Sequence, residues 1–294
     1  MSKNILNTII HGDCLKVLKN IPNNFVDMSF ADPPFNLKKK YNHYEDSKEK
    51  RDYLNWCNEW LNEIVRITKP TGAIFVHNIP RWLSYYSECL NKIAFFKHWI
   101  AWDSGGAPLG KTLLPNHYGI LYYTKSTSHK DFKFFDIRQP HPKCRVCGEF
   151  LKDYGGKKAQ AHKFGPLLSD VWNDIHRIRH KNRRDEHPCQ LPIPLLERLI
   201  LMTTDAGDIV FDPFMGTGTT AVAAKRLGRK YIGIEQDLDY VKIANKNIEA
   251  AKETKINECF VSIYLNRIRT MRDSDFKKIY ETPKNQNHIE LKAG

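Results

Sequence analysis

Short apolar runs alternate along this chain with longer segments of helical spacing, and this alternation limits the fold more than any other feature. Runs such as Val26–Ala31, Ala73–His77 and Tyr231–Ile234 have the length and apolar content of buried strands. Between them, residues 49–68 and 239–252 carry apolar side chains at three- and four-residue intervals. Strands that alternate with helices predict an α/β fold: a doubly wound, mostly parallel sheet with helices on both faces.

The remaining predicted elements come from the same periodicities. We expect strands over residues 5–10, 99–102, 120–123 and 208–211, and helices over 14–18, 81–94, 195–200 and 219–227. Asp13 is the expected N-cap of the first helix. The pair Thr71-Gly72 predicts a turn, and the apolar stripe with Trp56 and Trp60 predicts core without a functional role.

A glycine loop follows the strand that ends at Phe211. In parallel sheets ligands bind beyond the carboxyl ends of strands, and glycine lets the backbone approach a ligand closely. The loop runs through Gly216 and Gly218 into a helix whose N-terminus favours an anion such as a carboxylate. Glu235 ends the next strand, where it can accept hydrogen bonds from ribose hydroxyls. These features predict an adenosine-containing cofactor and leave NAD and S-adenosylmethionine open, although Asp212-Pro213-Phe214 is unusual at the start of a dehydrogenase loop.

The tetrapeptide Asp32-Pro33-Pro34-Phe35 stands at the end of another predicted strand. An exocyclic amino nitrogen on an aromatic ring is a poor nucleophile, because its lone pair is delocalised into the ring. Acceptors for both N–H groups favour a pyramidal nitrogen with a localised lone pair. The Asp32 carboxylate and the Pro33 carbonyl can supply these acceptors, the prolines stiffen the turn, and Phe35 offers a face for a flipped base.

The charge of the chain favours a nucleic-acid partner. The net charge is +13, and residues 125–186 hold fifteen Lys or Arg against eight Asp or Glu. Periodicity fades over this stretch, so we expect an inserted binding region there. The cations expected to contact DNA phosphates lie in two runs, namely Lys38, Lys39, Lys40 and Arg177, Arg179, Lys181, Arg183, Arg184.

Together and in this order, these motifs resemble the DNA amino-methyltransferases, and more closely their beta class, in which the catalytic motif precedes the cofactor loop. The resemblance covers roughly residues 8–250 and includes Gly12-Asp13-Cys14, Asp32–Leu37, Lys69–Gly72, His187–Pro192 and Phe211–Glu235. Cys189 and Leu191 depart from the family, in which Thr and Lys are more usual at these two positions.

The resemblance implies a fold, a cofactor and a division of the chain. The fold would be that of S-adenosylmethionine-dependent methyltransferases, with residues 1–102 as the catalytic half, 103–186 as the target-recognition insertion, 187–252 as the cofactor-binding half and 253–294 as a C-terminal extension. S-adenosylmethionine would be bound by Asp13, Cys14, His187, Pro188, Cys189, Gln190, Asp212, Pro213, Phe214, Gly216, Gly218, Thr219, Thr220, Glu235 and Gln236. Among them, Thr219 and Thr220 would hold the methionine carboxylate and Glu235 the ribose.

The implied activity is methylation of adenine N6 in double-stranded DNA, because aspartate at the first catalytic position is commoner in adenine-N6 than in cytosine-N4 enzymes. Cytosine-N4 methylation by the same architecture is the first alternative. A catalytically silent DNA-binding protein and a methyltransferase for RNA or protein are the others. A homodimer and a cognate restriction endonuclease are partners that the sequence leaves open.

Location and metal content are predicted from what the chain lacks. No run approaches the ~20 apolar residues that span a bilayer, and the first residues lack the apolar core of a signal peptide, so we expect a cytoplasmic protein with no membrane partner. Cys144 and Cys147 have zinc-knuckle spacing, which His141 and His162 could complete. No second Cys pair follows, so the favoured interpretation is two loop thiols and no metal.

Overall fold

The structure is a computed structural model that describes residues 5–37, 47–103, 113, 115–137, 166–178 and 190–253. The chain divides into two compact units, Met1–Phe134 with Asp170–Glu253 and Phe135–Ser169 with Thr254–Gly294. In the described part of the second unit, the backbone N–H of Leu168 donates to the carbonyl of Ile137 at 2.7 Å. The predicted boundaries near residues 103, 187 and 253 stay a prediction.

The first unit is built on an eight-stranded sheet with the order β1-β8-β7-β2-β3-β5-β4-β6. Every neighbouring pair is parallel except the two that β5 makes with β3 and β4, so the predicted mostly parallel sheet is confirmed. The strands are β1 Thr8–His11, β2 Val26–Ala31, β3 Thr68–Asn78, β4 Phe95–Asp103, β5 His117–Thr124, β6 Val171–Trp172, β7 Ile209–Asp212 and β8 Lys230–Glu235.

The described residues form six helices, which pack in two groups. Helix α2 packs against α1 and α3, and helix α5 packs against α4 and α6. The predicted cap at Asp13 is confirmed, because its carboxylate accepts the backbone N–H of Lys16 at 3.0 Å. The helices are α1 Cys14–Leu18, α2 Lys50–Ile67, α3 Pro80–Leu90, α4 Ile193–Thr203, α5 Thr219–Arg226 and α6 Leu238–Ala250. None of these helices combines the length and the apolar character needed to span a bilayer.

One local prediction was wrong, and one strand was missed. Thr71 and Gly72 lie inside β3 rather than in a turn. A Cβ atom at Gly72 would come within 2.6 Å of the Asp27 carbonyl oxygen, so glycine is there because two strands approach closely, beside a register shift in the pairing of β2 with β3. The strand β6 was not predicted, because two residues are too few to show a period of two.

Strand alternation separates the two faces of β3. Ile74 and Val76 belong to the core cluster that includes residues of α1, α2 and α3. The intervening residues Phe75 and His77 are equally buried but lie outside that cluster, so their side chains point to the opposite face. His77, on this second face, lies beside Asp32 of the catalytic motif at the end of β2.

Candidate active site

The motifs predicted from the sequence meet at one edge of the sheet. Four adjacent parallel strands, in the order β1-β8-β7-β2, have their carboxyl ends there. Gly12 follows β1, Glu235 ends β8, Asp212 ends β7 and Asp32 follows β2. Because parallel strands end at the same edge, residues more than 200 positions apart in sequence lie around one space.

This space is a cavity of about 390 Å³. It brings together both halves of the predicted site, the catalytic tetrapeptide and the glycine loop. The lining residues are Gly12, Asp13, Cys14, Phe30, Asp32, Pro33, Pro34, Phe35, Lys48, Trp56, Gln190, Leu191, Asp212, Pro213, Phe214, Met215, Gly216, Thr217, Thr219, Thr220, Glu235, Gln236, Asp237 and Tyr240. Gly218, which was also predicted to bind the cofactor, is not among the lining residues and stands at the N-cap of α5.

Hydrogen bonds hold two of the carbonyl groups of the tetrapeptide and leave a third one free. The Tyr53 hydroxyl donates to the Pro34 carbonyl at 2.5 Å, and the Trp82 indole N–H donates to the Phe35 carbonyl at 2.6 Å. Within the described residues, the Pro33 carbonyl accepts no hydrogen bond. The loop is therefore anchored through the carbonyls of Pro34 and Phe35, while the Pro33 carbonyl stays available to a ligand.

A buried hydroxyl chain supports this anchor. Tyr53 gives its only hydroxyl proton to Pro34, so at 2.6 Å it must accept from the Tyr86 hydroxyl. The oxygen of Tyr86 in turn accepts from the side-chain amide of Asn78 at 3.3 Å and from the Cys57 thiol at 3.7 Å. Burial raises the pKa of Tyr86 well above its ordinary value, so the hydroxyl keeps its proton and the chain keeps its direction.

The Asp32 carboxylate is held through one oxygen as well. Its Oδ1 lies 2.8 Å from Nδ1 of the buried His77. No described group forms a hydrogen bond with Oδ2. Asp32 and Pro33 both line the cavity, and each keeps one acceptor that no described group uses, namely Oδ2 and the backbone carbonyl.

The ring of Phe35 is more enclosed than the sequence suggested. It lines the cavity but is only 6% exposed, and its ring centroid lies 5.8 Å from His77 and 6.1 Å from Tyr118. Stacking of a flipped base on Phe35 stays a prediction. The exposed part of the ring allows an edge or partial-face contact.

The glycine loop is fastened internally by Asp212. This carboxylate is 2% exposed, and it accepts the Phe214 N–H at 2.8 Å and the Thr220 hydroxyl at 2.5 Å. Gly218 caps α5 with φ of 90°. Since the hydroxyl of Thr220 is engaged by Asp212, the groups that remain for an anion are the side chain of Thr219 and the free N–H groups of the first turn of α5.

Glu235 closes the other side of the loop. Its carboxylate accepts the backbone N–H of Gly216 at 2.7 Å and that of Asp237 at 2.8 Å. Burial raises the pKa of Glu235. Each of its oxygens keeps a second lone pair for a ribose hydroxyl. The neighbouring Gln236 is exposed at the cavity rim.

The cavity is acidic although the chain is strongly basic. Burial, together with the nearby Asp32 and Glu235, raises the pKa of Asp212 to about 7. Among the described lining residues, Lys48 is the one cation and the carboxylates are Asp13, Asp32, Asp212, Glu235 and Asp237. Such a cavity favours a positively charged ligand and opposes the two negative charges of a dinucleotide pyrophosphate. Between the cofactors that the glycine loop left open, the charge favours S-adenosylmethionine.

Asp13 and Cys14 line the end of the cavity beside β1 and β8. Asp13 is engaged as the cap of α1, which fixes the turn that carries Cys14. Burial, with a smaller contribution from the charge of Asp13, raises the pKa of the Cys14 thiol to about 12. Cys14 is therefore an uncharged, apolar part of the wall.

Sequence reasoning missed several residues of the site. Trp56, assigned to the core, lines the cavity, with its ring centroid 5.5 Å from that of Phe214. Tyr53, Trp82 and His77 were not singled out, because nothing in their local sequence indicates that they contact the tetrapeptide. The helical stripe on α2 could have revealed Trp56, since that helix follows the catalytic motif and faces the same sheet edge.

Several predicted residues lie outside the described residues: Lys38, Lys39, Lys40, Cys144, Cys147, Arg179, Lys181, Arg183, Arg184, His187, Pro188 and Cys189. Gln190, next to the last of these, lines the cavity, and Arg177 is exposed. In the part of the chain that the structure describes, no three His, Cys, Asp or Glu residues are grouped to hold a metal ion.

The chain is similar to known DNA methyltransferases. Residues 26–246 match the family N6_N4_Mtase, described as DNA methylase. The type II methyltransferase M.BamHI of Bacillus amyloliquefaciens is 38% identical over 303 residues, covering 97% of this chain and 71% of that protein. The DNA adenine methyltransferase YhdJ of Escherichia coli (strain K12) is 32% identical over 257 residues, covering 85% of each chain.

A solved structure, that of the M1.HpyAVI-SAM complex, has the same fold. It aligns with a TM-score of 0.57 over 82% of this chain and 98% of that chain, at 23% sequence identity. The family match spans most of the chain and includes both the tetrapeptide and the glycine loop. This protein therefore belongs to the N6_N4_Mtase family of DNA methylases, the amino-methyltransferases that its motifs resemble.

Proposed function

We propose that this DNA methyltransferase transfers a methyl group to the exocyclic N6 amino group of an adenine flipped out of double-stranded DNA. One observation carries the proposal. Oδ2 of Asp32 and the carbonyl of Pro33 are two unused acceptors on one wall of an acidic cavity, whereas the neighbouring carbonyls of Pro34 and Phe35 are engaged. Two acceptors match the two N–H groups of an exocyclic amine.

These acceptors direct the reactivity of the amino nitrogen. When Asp32 and Pro33 each accept one N–H, the nitrogen becomes pyramidal and its lone pair is localised away from the ring. The lone pair would attack the methyl carbon of S-adenosylmethionine as the carbon–sulfur bond breaks and S-adenosylhomocysteine leaves. The nitrogen then loses one proton, for which Oδ2 of Asp32 is an acceptor. The tetrapeptide keeps the two acceptors in position, because Tyr53 and Trp82 hold its Pro34 and Phe35 carbonyls by hydrogen bonds.

S-adenosylmethionine supplies the electrophilic methyl group in this proposal. The fit rests on charge, since its sulfonium and ammonium groups suit a cavity whose described carboxylates outnumber its one cation. Glu235 would accept from the ribose hydroxyls, and the first turn of α5 at Thr219 would bind the carboxylate. Asp13, Cys14, Gln190, Phe214 and Gln236 would line the rest, with His187, Pro188 and Cys189 covering the methionine end.

Cytosine N4 is the alternative target. Both bases present an exocyclic amine to the same two acceptors, and the matching family joins N6 and N4 enzymes in its name. Aspartate at position 32 supports adenine, by the resemblance given above. The proposal extends to phosphate contacts by Lys38, Lys39, Lys40, Arg177, Arg179, Lys181, Arg183 and Arg184, and to target recognition by residues 103–186.

The wider setting of the enzyme belongs to the same proposal. We expect a cytoplasmic enzyme, because that is where its DNA substrate is accessible. A homodimer and a cognate restriction endonuclease rest on the resemblance alone. Sedimentation of the full chain, with and without duplex DNA, tests the first. Digestion of unmodified and enzyme-modified host DNA by a cell extract tests the second.

The deciding experiment is methyl transfer from labelled S-adenosylmethionine to duplex DNA, with the product nucleosides identified by mass. We expect N6-methyladenine from the wild-type protein and a turnover lower by a hundredfold or more, at about unchanged cofactor affinity, for Asp32→Ala. Asp239→Asn, on the exposed surface of α6, is the matched control and should behave as wild type. N4-methylcytosine would move the target to the alternative, and unmethylated DNA would refute the proposed function.

A further inference from the structure

His77 is a buried histidine beside the catalytic motif that has no place in the proposed chemistry so far. It lies near the end of β3, is 2% exposed, and its Nδ1 lies 2.8 Å from Oδ1 of Asp32. The sheet register explains the contact. Ala31 of β2 is paired with Val76 of β3, so the next residue on each strand, Asp32 and His77, stands side by side on the same face.

The two ring nitrogens of His77 have different surroundings. An ionised carboxylate only accepts hydrogen bonds, so Nδ1 must carry the hydrogen that Oδ1 accepts. Nε2 is buried and has no partner within the described residues. The rings of Phe35, Trp102 and Tyr118 lie near the imidazole, with centroids 5.8, 5.8 and 5.4 Å from the centroid of the His77 ring. Nδ1–H is therefore the group that His77 offers to Asp32.

We propose that His77 is the positioning residue of Asp32. Its Nδ1–H occupies Oδ1 and so stops the carboxylate from rotating about the Cβ–Cγ bond. Oδ2 is then the oxygen that faces the cavity, together with the Pro33 carbonyl. This inference rests on the proposed function, because it assigns His77 a role in holding the acceptor of the target amino group. His77 itself touches neither the base nor the cofactor.

The aromatic neighbours strengthen this role. Trp102, Tyr118 and Phe35 pack against His77 with interplanar angles of 54°, 39° and 51°. Because the imidazole is buried among these rings, we expect little rotation of it, and its one hydrogen bond to Asp32 then restrains the carboxylate. Without it, an acidic side chain that is 16% exposed would sample several orientations, of which few aim a lone pair at the amine.

Two substitutions separate positioning from packing. In His77→Asn the amide N–H₂ lies about where Nδ1–H lies and can still donate to Asp32. In His77→Leu the volume is roughly kept and the donor is lost. We expect the Leu variant to lose about 10- to 100-fold in kcat, with the KM for DNA and the Kd for S-adenosylmethionine changed by less than about threefold. The Asn variant should recover most of the lost kcat.

A control and a spectroscopic signature complete the test. Tyr122→Phe alters a buried side chain on the adjacent strand whose hydroxyl has no partner within the described residues, and it should leave kcat unchanged. In spectra of ¹⁵N-histidine-labelled protein, the signal that disappears in His77→Asn should be that of a ring that carries a hydrogen on Nδ1.

The inference is overturned if His77→Leu keeps kcat within about twofold, or if neither variant differs from the other while both lose cofactor affinity and thermal stability in parallel. A ring protonated at Nε2 alone would also overturn it. Failure of the proposed function can be distinguished from failure of the His77 inference, since the wild-type enzyme would then yield no methylated amino group. Failure of the His77 inference leaves the wild-type product intact.

Discussion

Binding of S-adenosylmethionine should strengthen as the pH rises through 7. Burial, with the charges of Asp32 and Glu235, raises the pKa of Asp212 from 3.8 to about 7. A cationic ligand favours the ionised carboxylate, so it competes with the proton. If the cofactor binds only the ionised form, its Kd is multiplied by about 11 one pH unit below this pKa and by about 1.1 one unit above it. The expected change is therefore about tenfold, or roughly 1.4 kcal/mol.

Titration calorimetry of the full chain at about pH 6, 7 and 8 measures this change. Repeating each titration in two buffers of different ionisation enthalpy counts the protons released on binding. S-adenosylhomocysteine is the matched control, because it lacks the sulfonium charge and keeps the adenosine and the amino acid. We expect a smaller pH dependence for it. A flat Kd for S-adenosylmethionine, or equal slopes for both ligands, would refute the electrostatic argument.

The stability of the ligand-free protein should depend on pH in the opposite sense. The native pKa of Asp212 lies above its unfolded value, so this group stabilises the fold when protonated, below about pH 4. Its contribution is lost as the pH rises to about 7, with a slope of up to roughly 1.4 kcal/mol per unit. Urea unfolding with and without saturating cofactor should show the two opposing trends.

Three further outcomes follow from single contacts. Tyr53→Phe should lower the free energy of unfolding in urea by about 1–3 kcal/mol, because the part-buried Pro34 carbonyl loses its donor. Tyr122→Phe should cost less than about half of that, and equal costs would contradict the anchoring role of Tyr53. Gly218 has φ of 90°, and an added Cβ would lie 2.9 Å from helix α6, whereas Gly207 has φ of 85° and open space around it. Gly218→Ala should therefore destabilise the protein by about 1–3 kcal/mol more than Gly207→Ala. Equal destabilisation would mean that α6 moves aside freely. Cys14 should react with a thiol reagent at neutral pH at least about tenfold more slowly in the native than in the unfolded protein, because burial raises its thiol pKa to about 12, and equal rates would contradict that burial.

The two signs of charge are separated in this molecule. The net charge of +13 suits a polyanionic partner, whereas the cavity at the sheet edge holds carboxylates whose pKa values are raised by burial. Long-range attraction of DNA and local binding of a cationic cofactor therefore do not compete. Among the described lining residues, the exposed Lys48 is the one cation.

The order of elements and the identity of the site motifs could be predicted from the sequence. Periods of two and 3.6 residues and capping residues such as Asp13 are local, so β2, β7, β8 and the helices around them were predicted to within a few residues. The convergence of the tetrapeptide and the glycine loop also followed, because parallel strands end at one edge. Short or closely packed segments failed, as at β6 and Gly72, because a partner strand rather than the local sequence determines them.

The sequence by itself determined which groups are present at the site: a carboxylate, a proline carbonyl, a glycine loop and a second acidic residue on the next strand. Only the tertiary structure decided which of their atoms are free. Tyr53, Trp82 and His77 engage Pro34, Phe35 and one oxygen of Asp32, and these contacts span 19, 47 and 45 positions of sequence. Hydrogen-bond partners and burial arise from packing between elements, which local patterns do not encode, so the pair of unused acceptors and the acidity of the cavity emerge only in the folded chain.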